Sequence, residues 1–286
     1  MIRPGCIDDI VRKHIRSTGA EIVQCDIMDL DGLSRLMMDY RIDIVYHLAA
    51  INTNVGSNFS PYDIFETNIR GTYTVLEACR TSPCSARAVV SSSKEVEDCF
   101  RPEGGRKYHP YMTSKASAEL VTRTYADTFD IPVAVVRADN IYGGGDFNWR
   151  RLVPGTIRSV LRGEAPVIRS NGLFRRDYVY VEDAVDAYLA VGERMDSPDV
   201  IGRIFRLASG SGGTVLDMVS HIARIAGRSD LKPIVLNEQS YERVDEPYVP
   251  NFEKDVLGWS CKVDLEVGLS LTCDWYQKFF VGQSGY

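Results

Sequence analysis

Along the chain, short apolar runs rich in β-branched residues alternate with longer stretches whose apolar positions recur at helical spacing. The runs "AEIVQCDI" from Ala20, "IDIVYHLAA" from Ile42, "ARAVVSSS" from Ala86 and "IPVAVVRADNIYG" from Ile131 predict strands. Between them, Leu30–Asp39, Asp63–Arg80 and Tyr111–Phe129 predict helices. In "IDIVYHLAA" and "VAVV" the apolar run is nearly continuous, as in strands covered on both faces. The β-α-β-α order therefore predicts an α/β fold on a doubly wound, mostly parallel sheet.

After Gly145 the pattern changes. "GGGDFNWRRLVPGTIRSVLRGEAPVIRS" is rich in Arg and Gly, with a short helix around Val153–Leu161. "RRDYVYVEDAVDAYLAVGERM" predicts a strand and a helix capped at the Glu182-Asp183 pair, and "TVLDMVSHIARIAG" and "VDLEVGLSLTCDWYQKFF" predict two more amphipathic helices. This divides the chain into a first domain over residues 1–150, to which 176–198 return, and a smaller second domain over 151–286. There is no internal repeat.

Composition narrows the function. The 286 residues carry a net charge of -6 with both signs interspersed, which implies neither a nucleic acid nor a membrane surface as partner. "MIRPGC" leads into Ile-Asp-Asp rather than an apolar core, and no run reaches bilayer length, so the expected location is the cytoplasm. Seven scattered cysteines without a Cys-x-x-Cys, and four histidines far apart, predict neither a disulfide framework nor a metal site.

In an open parallel sheet, ligands bind beyond the carboxyl ends of the strands. The residues there are Ala49-Ala50-Ile51-Asn52, then Ser91-Ser92-Ser93-Lys94-Glu95, then Asn140 with Gly143–Gly145. "HPYMTSKASAEL" sets Tyr111 and Lys115 four positions apart, on one face of a helix that follows the serine run. A cation beside a phenol favours phenolate, which suits the tyrosine to proton transfer near neutral pH. A solvated helix face is the plainer account of this spacing, and turn formation that of the serines.

Taken together, "VVSSSKEV", "PYMTSK", "HLAA", "ETNIRGT", "VRADNIYGGGD" and "RRDYVYVEDAVDAYL" resemble the extended short-chain dehydrogenase/reductase family, the NAD-dependent nucleotide-sugar epimerases and dehydratases. The likeness runs from about Gly19 to the C-terminus and is most similar to the CDP-glucose 4,6-dehydratases. It implies a Rossmann-like first domain, a substrate-binding second domain, NAD as cofactor and a nucleoside-diphosphate sugar such as CDP-glucose as substrate. A homodimer formed through the helices that include the Tyr111 helix is also implied. On this resemblance Tyr111 is the base at the sugar C4 hydroxyl, Lys115 lowers its pKa and holds the nicotinamide ribose, and Ser93 bonds the same oxygen, with Ser92 as runner-up. Glu95 would remove the C5 proton during elimination. Lys94 stands where the family commonly has an acid, and a one-residue shift would align it with a lysine of the CDP-glucose enzymes and take Glu95 out of the role. Asp26, Ile27, Leu48, Ala49, Ala50, Asn68 and Ser91 would line the cofactor, and Ser92, Asn140, Arg151 and Arg176 the substrate. His47 reads as a packed strand residue.

The family's glycine-rich strand-turn-helix, which cradles the pyrophosphate, does not occur before Gly19, so the first domain reads as N-terminally truncated and the cofactor site as incomplete. Two later glycine clusters, Gly143–Gly145 and "SGSGGT" from Ser209, resemble it only in composition. An epimerase or decarboxylase of the same family, or a nucleotide-sugar binder without redox chemistry, are the alternatives.

Overall fold

The computed structural model describes residues 15, 17–52, 59–84, 86–100, 108–239 and 248–283. Most of the stretch before Gly19, in which the sequence shows no glycine-rich turn, lies outside them. Four strands form the largest sheet: β1 (Ile44–His47), β2 (Arg87–Ser93), β3 (Val133–Ala138) and, later in the chain, Ile204–Leu207, hydrogen-bonded in that order. β1 and β2 run parallel, Ile44 opposite Arg87 and His47 opposite Val90. The expected strand over Ala20–Ile27 is absent. That segment finds no ladder partner among the described residues, and its first residues are exposed.

The described residues within Met1–Ser92, His109–Val135 and Met195–Arg203 pack as one compact unit, and those within Ser93–Tyr108, Val136–Arg194 and Ile204–Tyr286 as another. Residues 93–100, 136–150 and 176–194, expected in the first domain, pack with the second unit, and of the returning segment 195–198 packs with the first. In the first unit, helix α1 (Leu30–Asp39) starts at Asp29, whose carboxylate accepts the Gly32 N–H. Next come α2 (Pro61–Phe65), opened by a Ser60–Asp63 capping box, a π turn (Glu66–Arg70), and α3 (Gly71–Thr81). The core is Met37, Val75, Leu76, Cys79, Val90 and Val133 with their neighbours.

Helix α4 (Pro110–Phe129) has Pro110 in its first turn and His109 as N-cap. It buries Ser114, Ala116, Ala118 and Thr122, small residues that let a helix lie close to its support.

In the second unit, β4 (Asn140–Tyr142) pairs in parallel with Tyr178–Tyr180, and Val167–Ser170 in parallel with Ile234–Gln239. Arg175–Arg176 pairs antiparallel with Gly213–Thr214. Helix α5 (Leu152–Leu161), α6 (Val181–Glu193), α7 (Val215–Ile225), α8 (Asn251–Leu257) and α9 (Leu265–Gln283) complete it. Its core joins Tyr142, Ile157, Met218, Ile222, Leu269 and Tyr276. The Glu182-Asp183 pair does not cap α6. Tyr180 holds that position without a side-chain bond, and the two acids sit in the first turn, where negative charge suits the helix N-terminus. Asp183 is buried instead as an anchor for the chain at 262–263, its two oxygens accepting the Lys262 and Val263 N–H groups at 3.0 Å each. Among the described residues, no helix is long and apolar enough to cross a membrane.

Candidate active site

In the first unit the end of β2 and the start of α4 hold the candidate proton-transfer pair. Lys115 is only 6% exposed, and its Nζ donates to the Ser91 carbonyl oxygen at 2.8 Å. Burial lowers its pKa to about 8, with the Glu119 carboxylate acting the other way. Tyr111 is half-buried one turn earlier, its ring parallel to that of His109 at 6.4 Å between centroids. The imidazole of His109 is tied to the helix, since its Nδ1 accepts the Met112 N–H at 3.4 Å. Ser92 points away from Ser91 and Ser93 by strand alternation, and its hydroxyl donates to Glu119, 2% exposed. Its proton is therefore committed to Glu119 rather than available to a substrate oxygen.

Asn68 lies in the π turn, is buried, and spends its amide on the protein. Its Oδ1 accepts the Ile51 N–H at 2.7 Å, while Nδ2 donates to the Ile51 carbonyl and to Ser114 Oγ, both at 2.9 Å. Ser114 in turn donates to the Tyr111 carbonyl at 2.7 Å. The loop after β1, which carries exposed Leu48 and half-buried Ala49 and Ala50, is thus linked to the first turn of α4 by satisfied bonds. Asn68 holds this loop. His47 is buried against Thr72, Nε2 to Oγ1 at 3.0 Å, and Thr72 gives its one proton to the Asn68 carbonyl at 2.6 Å. The imidazole must then be the donor, and burial together with Lys115 pushes its pKa down to about 3, so His47 is a neutral packed residue.

In the second unit Ser93 is half-buried and its Oγ accepts the Glu95 N–H at 3.3 Å, at the entry to a 3-10 turn (Lys94–Phe100). Glu95 is half-buried. Lys94 is engaged in an ion network: its Nζ lies 3.2 Å from Asp139, whose other oxygen is 3.3 Å from Arg206 Nε, while Arg206 also reaches Glu97 at 3.3 Å. Burial raises the Asp139 pKa to about 6, against the pull of both cations. Of the expected substrate contacts, Asn140 donates Nδ2 to the Asp177 carbonyl at 2.9 Å, and Arg176 is half-buried on its short strand. Arg151 is exposed and paired with Asp146 at 3.1 Å.

In both described glycine clusters the glycines serve packing and loop bonding. Gly144 packs under the Trp275 ring and Gly143 under Val181, with no room for a Cβ on either. The Ser209 and Gly210 N–H groups point at the buried Asp177 carboxylate, at 2.7 and 2.9 Å.

Residues 6–207 match the model of the NAD dependent epimerase/dehydratase family. The chain belongs to this family. A trifunctional UDP-glucose 4,6-dehydratase/UDP-4-keto-6-deoxy-D-glucose 3,5-epimerase/UDP-4-keto-L-rhamnose-reductase of Arabidopsis thaliana is 28% identical across 93% of this chain. The chain spans 40% of that relative's length. Mouse dTDP-D-glucose 4,6-dehydratase is 26% identical over 91% of this chain and 75% of its own. UDP-glucose 4-epimerase from Thermotoga maritima, solved with UDP-glucose, superposes with a TM-score of 0.81 at 26% identity, over 92% of this chain and 86% of that one. The dTDP-glucose 4,6-dehydratase of Bacillus anthracis, solved with NAD, shares the Rossmann-like α/β fold at a TM-score of 0.81 and 22% identity, over 95% and 84% of the two chains.

Lys115 presents a buried ammonium beside the Ser91 carbonyl, a donor whose chemistry suits a cofactor hydroxyl. Asp26 accepts the Met28 N–H at 3.0 Å, and Ile27 fills the space over Gly71, so Ile27 is a packing residue. Sequence reasoning missed Glu119, Asp139, Arg206 and Asp177. Glu119 was signalled by its place four residues after Lys115, and Arg206 by a charge inside the apolar run "IFRLA".

Proposed function

We propose that the chain acts on a nucleoside-diphosphate sugar as an NAD-dependent 4,6-dehydratase or epimerase, with Tyr111 taking the proton from the sugar C4 hydroxyl. The observation that carries this reading is the buried Lys115 ammonium on the Ser91 carbonyl, one helical turn from half-buried Tyr111. A cation fixed there favours the phenolate a general base requires. NAD, when bound, supplies the acceptor for the hydride leaving C4. Lys115, Ser91, Asp26 and the Leu48–Ala50 loop would hold it, Ser93 would bond the C4 oxygen, and Asn140, Arg176 and Arg151 would meet the diphosphate, for which guanidinium groups are suited.

For a dehydratase, Glu95 would take the C5 proton as water leaves. One observation favours the epimerase reading: Lys94, where dehydratases commonly carry an acid, is engaged with buried Asp139. Calorimetric titration with NAD, alone and with CDP-, dTDP- or UDP-glucose, tests the reading. Ternary binding followed by conversion of the sugar supports it, and binding of the sugar nucleotide without NAD leaves a binder without redox chemistry. Glu95→Gln separates the two enzymes. It should abolish the 4-keto-6-deoxy product while C4 oxidation persists, and unaltered dehydration by this variant removes the dehydratase assignment.

A further inference from the structure

Glu119 is a carboxyl group almost entirely withdrawn from water, and the chemistry above does not employ it. A buried carboxylate is costly unless hydrogen-bonded or paired. Here one oxygen accepts the hydroxyl of Ser92, itself buried near the carboxyl end of β2. Glu119 follows Lys115 by one turn of α4, on the same helix face. Its negative charge favours the lysine's proton against the burial that opposes it.

Among the described residues, Glu119 is the one charged group that acts on the proton of Lys115. From β2 the Ser91 carbonyl offers a neutral dipole, and from β1 the titratable group is His47, which is neutral. Tyr111 stands on the same helix. The ammonium is thus held in place by a carbonyl from the strand and in its charged form by an anion from its own helix.

We propose that Glu119, bonded to Ser92, is a positioning residue that maintains the charge and the placement of Lys115 and through it sets the proton affinity of Tyr111. The inference rests on Tyr111 and Lys115 being the proton-transfer pair. Its physical core, the control of Lys115 by Glu119, does not require turnover to be read.

The test is a carbon-13 titration of the Lys115 side chain in the full chain without cofactor, compared with Glu119→Gln. Glutamine keeps an acceptor oxygen for Ser92 and removes the charge. The Lys115 midpoint should fall by about one pH unit in this variant, and Glu119→Asp should bring it back toward the original value. The alkaline limb of the rate profile should move down with it. A folded Glu119→Gln with an unchanged midpoint overturns the proposal. Should that variant not fold, the carboxyl carbon of Glu119 in the unaltered protein decides: a carboxylate shift at neutral pH is required, and a carboxylic-acid shift overturns it. Tyr111→Phe tests the underlying reading separately, because full turnover in that variant would end the proton-transfer assignment whatever the difference in Lys115 midpoint between the unaltered chain and Glu119→Gln.

Discussion

At the residue scale, the site is governed by the burial of one lysine. Lys115 loses most of its hydration at the end of β2, and its pKa falls from the usual 10.5 to about 8. Between those values the unfolded chain binds a proton that the folded chain does not, so folding stability from this group rises with pH across the window and is constant below it. Replacing Lys115 with Met removes the titration. Urea unfolding at the two ends of that window should therefore show the unaltered protein gaining about 3 kcal/mol relative to Lys115→Met on going to the higher pH. Equal slopes for the two proteins would mean that the ammonium is solvated after all. His47 works in the acidic range. Neutral in the fold, it withholds stability as pH falls below its ordinary value of 6.5 toward 3.

At the scale of elements, helices were the legible part and strand partnership was not. Leu30–Asp39, Tyr111–Phe129 and Val153–Leu161 follow from apolar spacing and agree with α1, α4 and α5 to within a residue at each end. The capping box of α7, Thr214 with Asp217, is equally readable, because its bonds are local. The π turn that carries Asn68 is not, since nothing local distinguishes it from the α-helical spacing on either side. The short ladder of Arg175–Arg176 with Gly213–Thr214 shows what a single glycine controls. A Cβ on Gly212 would lie 2.6 Å from the Arg176 carbonyl oxygen, a backbone atom that cannot swing aside. Gly212→Ala should destabilise the fold by about 1–3 kcal/mol and shift the strand that bears Arg176. On the proposed function, the kinetic signature is a raised KM for the sugar nucleotide with kcat little changed, measured beside a thermal melt. An unaltered melt would show that the ladder yields without strain.

At the scale of the whole molecule, charges distant in sequence condense into one buried network in the second unit. Lys94, Asp139, Arg206 and Glu97 are linked there, and Glu253 accepts the Arg206 backbone N–H at 2.7 Å. Lys94→Ala would leave Asp139 with one cation, at a cost on the order of 3 kcal/mol. The pH dependence carries the sign. Asp139 titrates near 6 in the fold against 3.8 unfolded, so the folded chain holds the extra proton, and stability from this group declines as pH rises through that interval. Removing Lys94 pushes the fold's value higher still. Thermal unfolding at pH 5 and pH 7 should then show the variant losing more stability over that step than the unaltered protein, and parallel losses would argue that Lys94 is not the counter-ion. By itself the sequence determined the alternation of strands and helices, the family, and the Tyr111–Lys115 pair. Each is written in local spacing, which periodicity and motif expose. Only the tertiary structure decided that Ser92 serves Glu119, that Asn68 holds the Ile51 loop, that Lys94 is bound to Asp139, and that Ala20–Ile27 forms no strand. Those outcomes depend on which distant group fills the space beside a side chain or backbone once water has left it, and neighbouring residues in the chain do not specify that.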